Sequence, residues 1–477
     1  MRKKGSVTVF LTLILSLLLS LICASIESVR MASARTQILN GMDIGLYSLF
    51  GQYDKELLAD YDLFALDGSR GGGQLNLAAV CDELEAYMNP VLKQNSQKLT
   101  LCQSGLTGYR LLTDQKGEAF YQQIVGHMQE TLGSQGIQLL LGRMSERQEK
   151  TAQADQSANQ AQSKGSIDRY DSEMNQASEK SQQAAEEAQV VPQAPPAKNP
   201  ITIMKRIMKR GVLELVLPGG NGLSTKEIEK GTLVSGRGLQ QGMEMPDGMT
   251  VENSYTSEVL FQQYLMEHLG SYAEPSSAGL AYQMEYVFGG KNSDEDNLKA
   301  VASKLLFIRE GVNFACLMAD NVKRSEAQAL ATAIASGFLV PPAAVIIEAA
   351  LILCWAFAES VLDVRELFAG GRIPLVKSSG DWQISLGNLP DLMEELDSMR
   401  RNDEKGMSYK DYLQVLVLTV SKEKKVMRAM DMIENTIREK GRKNFCMDSC
   451  IVALEAFADV KANKKKDFQV IRQYCYE

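Results

Sequence analysis

Residues 1–30 of the chain read MRKKGSVTVFLTLILSLLLSLICASIESVR. A basic cluster, Arg2-Lys3-Lys4, precedes twenty uncharged residues, 7–26, which are apolar apart from a few hydroxyl side chains. An α-helix rises about 1.5 Å per residue, so this run can cross the roughly 30 Å hydrocarbon core of a bilayer. Serine and threonine hydroxyls are tolerated there because they bond back to helix carbonyl groups. The stretch therefore predicts a transmembrane helix.

The charges around this run predict its orientation. A basic cluster stays in the cytoplasm, so residues 1–6 form a cytoplasmic leader and the bulk of the chain is extracytoplasmic, held by one pass through the cell membrane. We expect lipid contacts from the side chains of Val7, Phe10, Leu15, Leu19 and Ile26.

Two cleaved signals are the alternatives to an uncleaved anchor. A secretory signal usually has an apolar region of only about 7–15 residues. Its small-x-small site would end at Ala34, well past the apolar run, and would leave Arg35 as the new N-terminus. A lipoprotein signal needs a small residue before its cysteine, and Ile22 precedes Cys23.

The helix is predicted to continue beyond the membrane. After Glu27, apolar residues recur at steps of three and four, which describe one face of a helix; they are Ile38, Met42, Leu46, Leu49, Tyr53 and Leu57. A single helix over residues 6–58 is one interpretation. The other is two helices with a break near Gly41 or Gly45.

Residues 3–10, KKGSVTVF, followed by an apolar helix, resemble the start of the pilin-like TadE/TadG group of the tight-adherence system. The resemblance implies that a prepilin peptidase cuts after Gly5 and leaves Ser6 as the N-terminus. It also implies other pilus or secretion subunits as partners, beside the lipid bilayer. Phe10 stands at the fifth mature position, where the group usually carries glutamate.

The whole chain also resembles a family of uncharacterised envelope proteins of Gram-positive bacteria. The similar stretches include YDLFAL at residues 61–66 and GLAYQMEY at residues 279–286. The family has no activity that the resemblance could imply.

Composition narrows the class of protein. Of 477 residues, 45% are hydrophobic and 23% are charged, which are ordinary globular values and exclude a wholly disordered chain or a polytopic membrane protein. The net charge of −8 argues against a nucleic-acid partner, which requires a basic surface.

The pattern along the chain predicts a mainly α, α+β fold in five parts. The leader (1–6) and the transmembrane helix (7–26) come before a membrane-proximal segment (27–140). A Gln/Ala/Ser/Pro-rich linker, low in large apolar residues, covers 145–200. The main extracytoplasmic domain covers 201–477. Within it, the apolar stretch 327–358 predicts a proline-broken helical hairpin in the core; the alternative is a second membrane span near 343–357.

Local signals predict several elements in the soluble part. We expect a short strand at 61–66, a helix over 75–87 that ends before Pro90, and a hairpin over 370–386. Helices are expected over 388–470. Ser408 with Asp411 three residues later is typical of a helix N-terminus, and acids after Ser293 indicate another.

Catalytic and metal-binding motifs are weak. The chain has two histidines, His127 and His268, neither with a motif-type partner nearby in sequence. The GGK at residues 289–291 lacks the other residues of a phosphate-binding loop. Cys446 and Cys450, four apart, would share a helix face, but a zinc site there lacks ligands. The sequence therefore predicts no catalytic, cofactor-binding or metal-binding residues.

These observations predict a non-enzymatic, membrane-anchored envelope protein, a structural or accessory component of a tight-adherence-type pilus or secretion assembly. One alternative is an anchored surface module that binds a wall polymer or a protein. The other is an enzyme whose site is assembled across the fold.

Overall fold

The structure, a computed structural model, describes residues 4–94, 99–164, 170, 172, 176, 179, 200–217, 222–243, 245, 254–337, 343–377, 379–396, 406–462 and 466–476. The chain forms two compact units, each assembled from separate parts of the sequence. The first unit takes Met1–His127, Thr232–Glu252 and Ile437–Glu477, and the second takes Met128–Gly231 and Asn253–Thr436. The mainly helical α+β fold predicted from the sequence is confirmed.

Helix α1, Lys4–Phe50, begins the first unit. It is continuous through Gly41 and Gly45, so of the two interpretations the break near these glycines is wrong and the single helix is confirmed as far as Phe50. It ends at Phe50 rather than near residue 58, because Asp54 caps a separate short helix, α2 (Lys55–Tyr61), by accepting from the amides of Glu56 and Leu57.

The rest of the first unit is a helix and an antiparallel sheet. After β1 (Leu66–Asp67) come helix α3 (Leu77–Lys93) and strand β2 (Leu99–Leu111), and the end of the chain supplies β3 (Cys450–Ala462) and β4 (Lys466–Cys475). In the sheet β3 is central: β2 pairs along one side of it, and β4 and β1 also pair with it. The apolar core lies between this sheet, α3 and the second half of α1.

Four local predictions in this unit are wrong. Residues 62–65 are irregular, and only Leu66 of the predicted strand 61–66 is in β1. Helix α3 continues through Pro90 to Lys93, because buried Met88 and Leu92 keep its last turn packed. The predicted helices over 388–470 give way to strands after Cys450. Cys446 and Cys450 therefore do not share a helix face.

The second unit is built from helices. Helix α4 (Asp114–Lys164) starts within the first unit's part of the chain and continues into this one. The other helices among the described residues are α5 (Pro200–Met208), α6 (Val212–Val216), α7 (Tyr255–His268), α8 (Gln283–Gly289), α9 (Asp294–Ala319), α10 (Asn321–Gly337), α11 (Ala344–Phe368), α12 (Leu392–Glu395), α13 (Tyr409–Leu418) and α14 (Lys422–Glu439).

The described parts of the apolar stretch, 327–337 and 343–358, fall on or beside α10 and α11, which pack together and against α9. Pro341 and Pro342, the prolines of the predicted hairpin, lie outside the described residues. Among the described residues, Val7–Phe50 and Ala344–Phe368 are the helices long and apolar enough to cross a membrane. The apolar window of α11 is 78% buried within the structure, whereas that of α1 is 0% buried. The burial of α11 supports a core hairpin rather than a second span.

Two helix starts are confirmed by their caps. Ser293 accepts from the amide of Asp296 at the start of α9. Ser408 and Asp411 form a complete capping box at α13. The predicted hairpin over 370–386 is wrong: its described residues are mostly irregular, with one 3₁₀ turn at Ser379–Asp381, and Ile373 bridges to Met407 instead.

The first part of the predicted linker 145–200, residues 145–164, is helical. Helix α4 runs on to Lys164 and buries Thr151, Ala154 and Ala158, so the described part of the segment is packed and does not form a solvated linker. Most of residues 165–199 lies outside the described residues. The five sequence-based domain boundaries stay a prediction.

Candidate functional site

The first half of α1 is an apolar helix that no other described residue covers. Every side chain over residues 7–30 is exposed. The five predicted anchor residues, Val7, Phe10, Leu15, Leu19 and Ile26, are 48–63% exposed. Gly5 and Ser6, the predicted cleavage site, belong to the first turns of the same helix. Such a continuous exposed apolar surface marks a membrane or protein interaction site.

The polar groups of this segment are satisfied within the helix. The hydroxyls of Thr12, Ser16 and Ser20 each donate to the carbonyl three residues earlier, and that of Ser25 to the carbonyl four residues earlier, all at 2.9 Å. A helix in hydrocarbon must pair its polar groups internally, because no water is present. The geometry of residues 7–26 meets this requirement.

The second half of α1 is packed into the first unit. Ala34, Ile38, Met42, Leu46 and Leu49 recur on one face and are all buried in the core. Gly41 and Gly45 lie on the side that faces α3: a Cβ atom at Gly41 would be 3.2 Å from Leu92 Cδ2. The glycines therefore bring two helices close together and do not interrupt α1. The exposed first half of α1 therefore continues the packed second half as one uninterrupted helix.

Aromatic and charged contacts join α1 to strand β4. The Phe50 ring lies 4.7 Å from that of Tyr474 and 4.8 Å from that of Tyr476. Further toward the N-terminus of α1, Asp43 forms an ion pair of 2.9 Å with Arg472. Residue numbers increase together along the two elements, so β4 runs in the same direction as α1.

A buried ion cluster is the centre of the second unit. The carboxylate of Asp363 on α11 accepts from the guanidinium of Arg309 on α9 at 2.9 and 3.0 Å. Its other oxygen lies 2.5 Å from Lys377 Nζ, which also contacts Glu359 at 2.6 Å. The side chains of all four residues are fully buried. Fixed, paired charges of this kind hold helices in one register, since an unpaired buried charge is costly.

A second buried site lies in the stretch GLAYQMEY at residues 279–286. Glu285 is fully buried, and one of its oxygens accepts from the Tyr409 hydroxyl at 2.6 Å and from the Tyr272 amide at 2.8 Å. Its other oxygen has no hydrogen-bond partner in the part of the chain that the structure describes. Burial raises the pKa of Glu285 to about 7 against the opposing effect of these two hydrogen bonds.

The neighbouring side chains of the stretch hold the fold together. Gln283 donates to the hydroxyl of Thr436 at 2.9 Å, and the Tyr286 hydroxyl donates to Asp431 at 2.7 Å. The amides of Ala281 and Tyr282 donate to the Asp294 carboxylate. These hydrogen bonds pair the polar groups of the stretch with other buried side chains, and their role is to stabilise the fold.

A cavity of about 590 Å³ opens on the second unit. Trp382, Lys377 and Cys316 line one part of it, and Lys150, Gln153 and Ser157 of α4 line another. Its volume lies within the range of about 300–1,000 Å³ that is usual for ligand sites.

The two histidines each contact a nearby side chain. His127 Nε2 lies 3.6 Å from the Asp62 carboxylate, and the His268 ring packs on Tyr264 with 4.2 Å between centroids. Among the described residues, no group of three or more His, Cys, Asp or Glu side chains is placed to hold a metal ion. All eight cysteines are free thiols.

Sequence reasoning located the apolar helix but missed the buried ion cluster and the Glu285 site. Arg309, Asp363 and Lys377 are far apart in sequence, and each alone has the pattern of an ordinary helix or loop residue. The available signal was the pair Glu359 and Asp363, which are four residues apart and therefore place two acids on one face of the mostly apolar helix α11.

Together these features define a mainly helical α+β protein with an exposed apolar N-terminal helix long enough for a membrane anchor. The chain belongs to a family of unknown function, DUF5702, whose model matches residues 191–462. The matched region includes the stretch 279–286 and ends before β4, and helix α1 lies outside it. No curated protein and no solved structure matches the chain.

Proposed function

We propose that this protein is a membrane-anchored, non-enzymatic envelope protein that serves as a structural or accessory subunit of a tight-adherence-type pilus or secretion assembly. Residues 7–26 insert into the bilayer, and the bulk of the chain is extracytoplasmic. The resemblance of residues 3–10 to the TadE/TadG group supports the assembly role.

One observation carries the proposal: the exposed apolar half of α1 and its packed half are one uninterrupted helix. A flexible tether would hold a soluble unit near the membrane without orienting it. A continuous helix fixes the first unit relative to the inserted segment, which a subunit needs in order to pack side by side with others. Helices in lipid associate by close packing, and residues 7–26 supply an apolar surface for such contacts.

Membrane insertion is tested with full-length variants expressed in the native host and extracted with carbonate. Leu15→Arg with Leu19→Arg places two charges at the middle of the span, where each costs about 2.5–3.5 kcal/mol, and we expect the protein to leave the membrane fraction. Val29→Arg, an exposed change beyond the apolar run, is the control and stays in the membrane. Equal behaviour of the two variants contradicts the anchor.

The assembly role is tested by intact-mass analysis of the membrane-extracted protein. The expected mass lacks residues 1–5 and begins at Ser6. Gly5→Leu blocks this cut, whereas Ser6→Ala, beside it, leaves the cut in place. A full-length N-terminus in the unmodified chain contradicts pilin-type processing and leaves a plain signal anchor. A start at Arg35 contradicts both.

The cavity of the second unit favours a second candidate, an anchored module that binds a wall polymer. Trp382 lines that cavity and one other tryptophan, Trp355, is present in the chain, so tryptophan fluorescence reports on binding. We expect N-acetylglucosamine oligomers or polyglycerol phosphate to give a saturable change that Trp382→Phe abolishes and Trp355→Phe retains. Absence of a saturable change with both polymers contradicts this candidate.

A further inference from the structure

The end of the first unit nearest the exposed half of α1 carries basic side chains. Arg472 of β4 pairs with Asp43 of α1, and the two elements run in the same direction. Lys466 begins β4 six residues before Arg472, which is about 20 Å of strand. The same length of helix contains about 13 residues. Lys466 therefore lies level with about residue 30 of α1, just beyond the apolar run.

Sheet register and helix packing bring further residues to this end. Lys461 of β3 pairs with Asp467, next to Lys466. Helix α3 runs opposite to α1, because Met88 meets Gly45 and Leu92 meets Gly41. Its last residue, Lys93, therefore points toward the same end.

Five cations lie around α1 between about the levels of its residues 30 and 40, at the end of the first unit that faces the apolar segment. We name them the basic collar: Arg30, Arg35, Lys93, Lys461 and Lys466. All five side chains are exposed. The exposed acids at this level, among the described residues, are Glu27 and Asp467, and Asp467 lies 3.8 Å from Lys461. The end is thus positive, although the whole chain carries a net charge of −8.

The position of the basic collar points to its partner. Arg30 follows Ile26 by four residues, which is about 6 Å of helix, and this is the depth of the lipid headgroups when residues 7–26 fill the hydrocarbon core. A basic cluster at that depth attracts anionic lipids, and the attraction falls off within a Debye length of the surface. Because α1 is one continuous helix, it holds the collar at the depth of the headgroups.

We propose that the basic collar binds the phosphate headgroups of anionic lipids in the membrane that holds α1. The binding orients the first unit upright on the bilayer, since contacts on several sides of α1 oppose its tilting. This inference rests on the proposed membrane anchor.

The test uses the full chain reconstituted in phosphatidylcholine bilayers with a trace of spin-labelled phosphatidylglycerol or spin-labelled phosphatidylcholine. The fraction of motionally restricted label gives the relative association of the two lipids with the protein. We expect a preference of three-fold or more for phosphatidylglycerol at low salt, which falls toward one-fold at 0.5 M salt because screening weakens the attraction.

Matched double variants locate the effect. Lys461→Gln with Lys466→Gln removes two collar charges without touching α1, and we expect at least half of the preference to be lost. Lys55→Gln with Lys443→Gln removes two exposed lysines elsewhere in the first unit and leaves the preference unchanged. Lys461→Arg with Lys466→Arg keeps the charge and retains the preference, which excludes a folding defect as the cause.

Several outcomes overturn the inference. One is equal association of both lipids with the unmodified chain, and another is an equal loss in the two Gln variants. A third is that the chain binds soluble inorganic polyphosphate but shows no preference between the two lipids. That result would mean that the collar binds a soluble polyanion instead. Carbonate extraction of each reconstituted sample shows whether the chain is inserted in the bilayer, so a missing lipid preference can be distinguished from a missing membrane anchor. A chain released by carbonate contradicts the anchor and the lipid contact together, whereas an inserted chain without lipid preference contradicts the collar alone.

Discussion

Gly45 of α1 lies so close to Met88 of α3 that a Cβ atom on the glycine would be 2.6 Å from the Met88 Cγ. Leu84 of α3 is the next neighbour, with its Cδ1 3.2 Å from the same position. The absence of a side chain at Gly45 therefore sets the distance between the helix that carries the apolar segment and the helix that supports it.

Gly45→Leu should destabilise the first unit by about 2–3 kcal/mol, because the added side chain overpacks a close helix contact. Gly126→Ala is the matched control: it lies on α4 with no atom within 4 Å of an added Cβ, and we expect it to stabilise by about 0.5–1 kcal/mol. Hydrogen exchange of the β3 amides, which belong to the same unit, measures both. Unchanged exchange in the Gly45 variant contradicts the close packing.

Asp363→Asn should destabilise the second unit by about 3–5 kcal/mol, because it leaves Arg309 and Lys377 buried without their shared anion. Both tryptophans, Trp355 and Trp382, belong to this unit, so urea unfolding followed by tryptophan fluorescence measures the loss. The control is Arg324→Gln, which removes the exposed partner of Glu348 and should cost less than about 1 kcal/mol. Similar losses in the two variants contradict a stabilising cluster.

Glu285→Gln should remove a pH dependence of stability. The pKa of Glu285 is raised to about 7, so between the ordinary glutamate pKa and 7 the folded state binds more protons than the unfolded state. Stability then falls as pH rises through this window, by roughly 3 kcal/mol in all. The glutamine variant should match the unmodified chain near pH 5 and exceed it in urea midpoint at pH 8.

The control for that experiment is Glu267→Gln, an exposed glutamate on α7, which should leave the difference between pH 5 and pH 8 intact. A Glu285 variant that is less stable than the unmodified chain at pH 8 shows that the carboxylate is needed in its charged form, and contradicts the prediction.

The cysteines should react with a neutral maleimide in an order set by their exposure. Cys102 and Cys475 are exposed, whereas Cys354 and Cys450 are fully buried. We expect the exposed thiols to be labelled within minutes in the folded chain and the buried thiols only after unfolding in urea. Peptide mass mapping of the labelled sites measures this order. Early labelling of Cys354 contradicts the packing of α11 in the core.

The places where sequence-based prediction failed share a physical cause. Strand β3 has the sequence CIVALEAFADVKA, whose Ala, Leu and Glu residues favour a helix, yet it lies in the middle of the sheet. Its partner β2 contains Gly105 and Gly108, which strands usually avoid. Leu111 of β2 pairs with Ile451, which is remote in sequence. Local propensity carries no information about such a partner.

Pro90 was misleading for a related reason. A proline removes one helix hydrogen bond, and read alone it predicts that α3 ends before it. The burial of Met88 and Leu92 against α1 outweighs the lost bond and keeps the last turn helical. The alternative of a break at Gly41 or Gly45 fails similarly, because these glycines allow a close contact with α3 that exists only in the folded unit.

The sequence by itself determined the features whose energetics are local. The apolar run of residues 7–26, the spacing of the buried face of α1 and the caps at Ser293 and Ser408 depend on neighbours within a few residues. Only the tertiary structure decided the sheet, the ion cluster of Arg309, Asp363 and Lys377, and the buried site of Glu285. Those features join residues from distant parts of the chain, and a buried charge is stable only where folding supplies its partner.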